Sequence, residues 1–324
     1  MSDYQHKSDL AELLMCYLKE KKMTGFKFEK QARELERFDD YYYRAGYRGV
    51  KLTKSMTDAF IYGISYEKRS THYKKEILLN GLAEFLIRQG HRVYVPPVKS
   101  APAERCAHIP YIFSEDELKR FFMAIDRFPP SDQTNRYLVD PVLFRLLYGC
   151  GLRVSEAINL KIGDIDLRSG TVTILGAKNG KDRLVPLAES LVSRFRRLKE
   201  ELHTLSDVSN YFFISPRASR LDKSTVYYRF RGYLLMAGIS HTKQGPRVHD
   251  FRHSYAVHCL KKWVLSDGEL TNLMPYLAAY MGHADFRGTQ YYLRLTADLY
   301  PDIIQKTEAT LDYVIPKEAY HEED

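Results

Sequence analysis

The sequence predicts a mainly α-helical chain of two domains that carries one small antiparallel β-sheet. Three observations lead there. Apolar residues recur at helical spacing through much of the first hundred residues and again from Ser224 onward. Residues 96–105 (PPVKSAPAER) lose all periodicity and gather three prolines, the pattern of a linker. Residues 171–187 (TVTILGAKNGKDRLVPL) alternate in the manner of a hairpin.

In chain order, Asp9 and Glu12 stand at capping-box spacing, and Leu10, Leu13, Leu14, Tyr17 and Leu18 follow with helical periodicity. A second helix is expected from about Phe28 to Ala45, stopped by Gly46. A third, from Tyr73 to Gln89, places Ile77, Leu78, Leu82, Phe85 and Leu86 on one face, with Gly90 as its C-cap. These features divide the chain into a helical domain over residues 1–95, a linker over 96–112 and a second domain over 113–324. The second domain opens at Ser114, where S-E-D-E forms a capping box before Leu118, Phe121, Phe122 and Ile125. In the hairpin, Val172 and Ile174 alternate with threonines, Asn179-Gly180 supplies the turn, and Leu184, Val185 and Leu187 return. The last residues, HEED, read as a frayed acidic tail.

Composition narrows the class. With 44% hydrophobic and 28% charged residues, the 324-residue chain has the balance of a globular protein. It has no apolar run long enough to span a membrane, and its polar start lacks the apolar core of a signal peptide. Cys16, Cys106, Cys150 and Cys259 are scattered without a C-x-x-C pair, so no disulfide framework or zinc knuckle is expected, and a reducing cytoplasm is the expected location. The net charge is +8. Residues 1–100 hold 19 Lys and Arg against 13 Asp and Glu, so most of the surplus lies there, as suits a polyanionic partner such as DNA.

Four segments hold residues able to carry chemistry. YGCGLRVSEAINL sets Arg153 and Glu156 three apart at a helix start, on one face. The hairpin tip carries Lys178, VHDFRHSYAVH carries His249 and Arg252, and YMGHADFRGTQYYLRL carries His283, Tyr291 and Tyr292. Each alone has an ordinary explanation: a surface ion pair, a solvated lysine, a packed tyrosine. Together they meet the needs of phosphodiester chemistry without a metal. A phosphate in a pentavalent transition state concentrates charge on its non-bridging oxygens, which the planar donor forks of two arginines match. Tyrosine can hold a covalent intermediate, and histidine and lysine can move protons at the attacking and leaving oxygens.

The order Arg153 (G-L-R-V-S-E), Lys178 (A-K-N-G-K-D-R), His249-x-x-Arg252 (H-D-F-R-H), Gly282-His283 and Tyr292 resembles the signature of the tyrosine recombinases, the phage-integrase-like enzymes. The nine-residue step from His283 selects Tyr292 over Tyr291. The resemblance implies a helical core-binding domain followed by a mixed α/β catalytic domain. It implies a site-specific recombinase that cuts and rejoins DNA through a 3′-phosphotyrosine, with no ATP, metal or other cofactor. By the same resemblance Arg153, Arg252 and His283 grip the scissile phosphate, Lys178 protonates the leaving 5′ oxygen, His249 assists proton transfer and Glu156 supports the arginines. The implied partners are double-stranded DNA bearing a recombination site, further copies of the chain in a tetramer, and accessory recombinases. In a bacterium it would act at the nucleoid. The stretch between Arg252 and His283 departs from the family pattern in length and is expected to form a helix with an extended loop around Asp267-Gly268.

Other readings stay open at this level. His249 and His253 are four apart, a metal-ligand spacing, although Asp250 stands where a zinc protease has glutamate and Arg252 adds a cation. Gly176 to Lys181 is one residue short of a phosphate-binding loop. A non-catalytic DNA-binding protein on the same scaffold would lack one of the six reactive residues, and a type IB topoisomerase would relax DNA without strand exchange.

Overall fold

The computed structural model describes residues 6–24, 28–100, 110–176, 182–242, 245–266, 268–283 and 287–299. The chain forms two compact units, Met1–His108 and Ile109–Asp324.

The first unit packs four helices: α1 (Ala11–Met23), α2 (Glu29–Arg44), α3 (Lys54–Tyr62) and α4 (Arg69–Arg88). In α2 the buried residues Leu35, Phe38, Asp39 and Tyr42 fall at helical spacing, which turns one stripe inward. Leu35, Phe38 and Tyr42 meet Leu14 and Tyr17 of α1 and Leu79, Leu82, Phe85 and Leu86 of α4 in one core. Each large side chain so buried contributes about 1.5–3 kcal/mol. Gly46 and Gly90 adopt positive φ just beyond α2 and α4, as their positions predict.

Two expectations are corrected here. Asp9 does not cap α1, whose N-cap is Leu10 without a side-chain cap. The Asp9 carboxylate instead accepts the Gly49 amide at 2.6 Å, tying the start of α1 to the turn beyond α2. Ile77 is 47% exposed, and the buried stripe of α4 runs through Leu78, Leu79 and Leu82. At the start of the expected linker, the amides of Lys99 and Ser100 donate to the buried Glu76 carboxylate at 2.9 and 2.8 Å. The rest of that segment, residues 101–109, lies outside the described residues.

The second unit holds α5 (Glu115–Asp126), α6 (Arg136–Gly149), α7 (Val154–Ile158), strands β1 (Ile165–Asp166), β2 (Thr171–Ile174) and β3 (Arg183–Pro186), then α8 (Glu189–Leu202), α9 (Lys223–Met236), α10 (Asp250–Leu265), α11 (Leu270–Met281) and α12 (Arg287–Leu299). Ser114 caps α5 through the predicted capping box with Glu117. The sheet is antiparallel in the order β1-β2-β3. Its register pairs Val172 with Val185 and Ile174 with Arg183. Val172, Ile174 and Val185 point into the core, whereas Leu184 points outward at 65% exposure, against its expected place in the hairpin's apolar face. The Asn179-Gly180 turn lies outside the described residues.

Phe113, Phe121, Phe144, Phe230 and Phe251 form an aromatic core, with edge-on and tilted rings between α5, α6, α9 and α10. Helix α10 is buried on two sides. Phe251 joins the aromatic core, while Ala256, Val257, Leu260 and Val264 pack with Leu270, Met274, Leu277 and Met281 of α11 and Tyr292 and Leu295 of α12. The described residues between Arg252 and His283 form two helices, α10 ending at Leu265 and α11 beginning at Leu270, rather than one helix; Asp267 of the expected loop lies outside the described residues. Among the described residues no helix is long and apolar enough to cross a membrane.

Candidate active site

The site is built where α7, β3, α10, α11 and α12 converge. Arg153 sits in extended backbone at the N-cap of α7, and Glu156 at the third helical position accepts the Arg153 amide at 3.0 Å. The Glu156 carboxylate also takes the Arg153 Nη1 at 2.6 Å, so the predicted pair is both a cap and an ion pair. Burial pushes the Glu156 carboxyl up, but hydrogen bonds from Arg183 and Arg153 outweigh it and hold the group below its ordinary value.

Arg252 lies one turn into α10 and is buried. Its Nη1 donates to the Gly151 carbonyl at 2.7 Å and its Nη2 to the Met281 carbonyl at 2.6 Å. The guanidinium thus ties the turn that presents Arg153 to the turn that presents His283. Both turns need glycine. Gly151 has φ +57, and a Cβ there would stand 2.8 Å from the Tyr255 ring; Gly282 has φ +65 and lies against Arg183. Burial, then the nearby Arg153, lowers the Arg252 guanidinium to about 10.

Tyr292 is 4% exposed on α12. Its phenol is pushed up by burial and drawn back by the charge and hydrogen bond of Arg252. The His283 ring stacks on it, with centroids 5.8 Å apart, and His283 Nδ1 lies 2.8 Å from the Thr289 hydroxyl. Tyr291 stands beside it with its centroid 5.6 Å away, but is 36% exposed. His249 is the exposed N-cap of α10, and its ring meets His253 at 5.0 Å; the His253 ring in turn meets Tyr292 at 5.5 Å.

Arg153, Glu156, Arg252, His283 and Tyr292 are therefore brought together, with His249 at the margin. Lys178 lies outside the described residues. Two residues at the site went unassigned in the sequence. One is His253, whose ring touches those of both His249 and Tyr292. The other is Arg183, whose Nη2 donates to Glu156 at 2.8 Å and whose Nε donates to the Tyr280 carbonyl at 2.9 Å. The sequence did not mark it, since Leu184 and Val185 are both apolar; the register of β3 shows that Arg183 alternates with Leu184 and shares the inward face with Val185. Among the described residues no group of three or more His, Cys, Asp or Glu is placed to hold a metal.

The pattern of the phage integrase family matches residues 112–298, more than half of the chain. Putative integrase/recombinase y4rE of Sinorhizobium fredii is 30% identical over 295 residues, covering 90% of this chain and 93% of that protein. Two solved structures share the fold. XerH site-specific recombinase bound to a palindromic difH substrate has 21% identity and a TM-score of 0.60, over 87% of this chain and 78% of its own. The lambda integrase tetramer bound to a Holliday junction has 18% identity and a TM-score of 0.58, over 85% and 77%. The chain belongs to the phage integrase family. It is a site-specific tyrosine recombinase, an enzyme that breaks and rejoins DNA.

Proposed function

We propose that Tyr292 attacks the scissile phosphate of a DNA recombination site and carries the 3′ end as a phosphotyrosine until a 5′ hydroxyl reverses the bond. The observation that carries this reading is the buried Tyr292 phenol, stacked on His283 and subject to the charge of Arg252. The phenol oxygen bonds phosphorus, its proton leaves toward the histidines, and the 5′ oxygen departs with a proton. The ester is exchanged for an ester of similar energy, so rejoining needs no ATP. Arg153, Arg252 and His283 stabilise the charge on the non-bridging oxygens; donors of this kind are worth about 2.7–4 kcal/mol each. Lys178 protonates the leaving oxygen, Glu156 holds Arg153, and His249 assists proton transfer through the neighbouring His253 ring.

The first unit supplies further phosphate contacts, as the charge surplus of residues 1–100 supports. A fragment over 113–324 is then expected to bind DNA more weakly and with a shallower dependence on salt. The active assembly is a tetramer on two recombination sites, by likeness of fold to the lambda integrase tetramer on its Holliday junction; accessory recombinases are a further class of partner.

The test of roles uses DNA whose 5′ bridging oxygen is sulfur, a better leaving group. Lys178→Ala is expected to regain cleavage on it, whereas Arg153→Ala is not. Equal rescue of both, or of neither, overturns the division of labour.

A further inference from the structure

Arg183 is a buried cation that the proposed reaction does not use. Its side chain is 8% exposed, on the core face of β3 opposite Ile174. Burying a guanidinium in a sheet is costly unless every donor edge is matched. Here one edge faces Glu156, with Nη2 and Nη1 at 2.8 and 3.4 Å from its two oxygens, and Nε faces the Tyr280 carbonyl at 2.9 Å.

The Tyr280 carbonyl is one of the last four of α11, which have no partner within the helix and form its negative end. The next carbonyl, Met281, is taken by Arg252. Two arginines therefore cap consecutive carbonyls at the end of α11, and both reach back to the Arg153 segment: Arg252 to the Gly151 carbonyl, Arg183 to Glu156. Arg183 also fills the space beside Gly282, where a Cβ would stand 2.8 Å from its Nη1. Gly282 is the left-handed residue that turns the chain into His283.

We propose that Arg183 is a positioning residue for DNA cleavage: by joining Glu156 to the end of α11 it sets the spacing of Arg153 and His283 about one phosphate. This rests on the reading of Arg153 and His283 as phosphate-gripping groups. Lysine keeps the charge but has no planar fork to serve a carboxylate and a carbonyl at once. Both Arg183→Lys and Arg183→Gln therefore leave Arg153 and His283 present but displaced, and a displacement of about 1 Å at a reacting centre costs on the order of 100-fold in rate.

The experiment measures single-turnover covalent attachment by full-length Arg183→Lys, Arg183→Gln and Arg153→Gln to nicked suicide DNA, alongside thermal unfolding and DNA affinity. A second substrate carries a neutral methyl group in place of one non-bridging oxygen of the scissile phosphate. On ordinary DNA, attachment is expected to fall about 10–100-fold for the Arg183 variants, with cooperative unfolding and affinity within about 3-fold of the unsubstituted protein. On the neutral phosphonate the deficit is expected to shrink to about 3-fold or less, because the misplaced groups act on phosphate charge. A deficit equal on both substrates, or loss of cooperative unfolding in both variants, makes Arg183 an ordinary structural residue and overturns the proposal. Unchanged attachment by the Arg183 variants while Arg153→Gln is inactive overturns the proposal alone. Unchanged attachment by Arg153→Gln overturns the reading of the site beneath it.

Discussion

Among the described residues of the second unit, the buried carboxylates Asp140 and Glu156 are each gripped by two arginines, and two buried tyrosines of that unit, Tyr233 and Tyr292, differ in the charge they face. Asp140 on α6 receives Arg229 Nη1 at 2.7 Å, Arg136 Nε at 3.4 Å and the Tyr233 hydroxyl at 2.7 Å. Glu156 receives Arg153 and Arg183. The difference lies in what the phenol faces. Burial pushes the Tyr233 phenol up, and the Asp140 carboxylate beside it pushes further in the same direction. Burial raises Tyr292 as well, but its neighbour is the Arg252 guanidinium, which pulls it back. A phenol that donates to an anion is locked as a structural donor; beside a cation, the upward push of burial is partly offset in favour of the ionised form. The same three residue types thus build a strut in the aromatic core and, in the proposed reaction, the surroundings of the attacking phenol.

The comparison can be broken most sharply at the two tyrosines. Tyr292→Phe is expected to abolish attachment to nicked suicide DNA while keeping stability and DNA affinity. Tyr233→Phe is expected to keep attachment while losing about 1–3 kcal/mol of stability, since a buried acceptor loses its donor. Attachment assays and denaturant titration of both variants check this, and a Tyr233→Phe protein that folds normally but cannot cleave would contradict the contrast. A step smaller is the exchange at the arginines. Arg229→Met leaves Asp140 short of a cation in the core and is expected to cost about 3–5 kcal/mol. Arg252→Gln is expected to lose about 100–1000-fold in attachment, the scale of a missing transition-state donor.

The smallest effect is a pH dependence at Glu156. Its folded value is depressed, so the stability it contributes is complete above its unfolded value, about 4.3, and is lost as pH falls through the lower folded value. Glu156→Gln is therefore expected to melt lower than the unsubstituted protein at pH 7, with the gap narrowing below about pH 4. A gap that stays constant or widens in acid would show that the carboxylate's charge is not what the arginines hold.

Much of this was legible in the sequence, for reasons that particular residues make plain. Ser114 and Glu117 signal α5 because a capping box is local: both partners lie within one turn. Asp9 misleads because its carboxylate is claimed by Gly49, forty residues away, and no local pattern reports that competition. The stripe of α4 was displaced at Ile77 because α4 meets both α1 and α3, so Leu79 is buried as well as Leu78. The grouping of Arg153, Arg252, His283 and Tyr292 was legible from the motif order. The site was illegible at Arg183, because only strand register reveals that its side chain turns inward. His253 was seen as a ring four residues from His249, but its contact with Tyr292 depends on how α10 packs against α12.

The central claim is that Tyr292, beside Arg252, is the residue that becomes bonded to DNA. It is tested most directly by trapping the protein on nicked suicide DNA, digesting the complex and locating the modified peptide by mass spectrometry. The account predicts a nucleotide joined through its 3′ phosphate to Tyr292, with Tyr291 unmodified and the adduct absent from Tyr292→Phe. An adduct on Tyr291, or one that persists when Tyr292 is replaced, would contradict it.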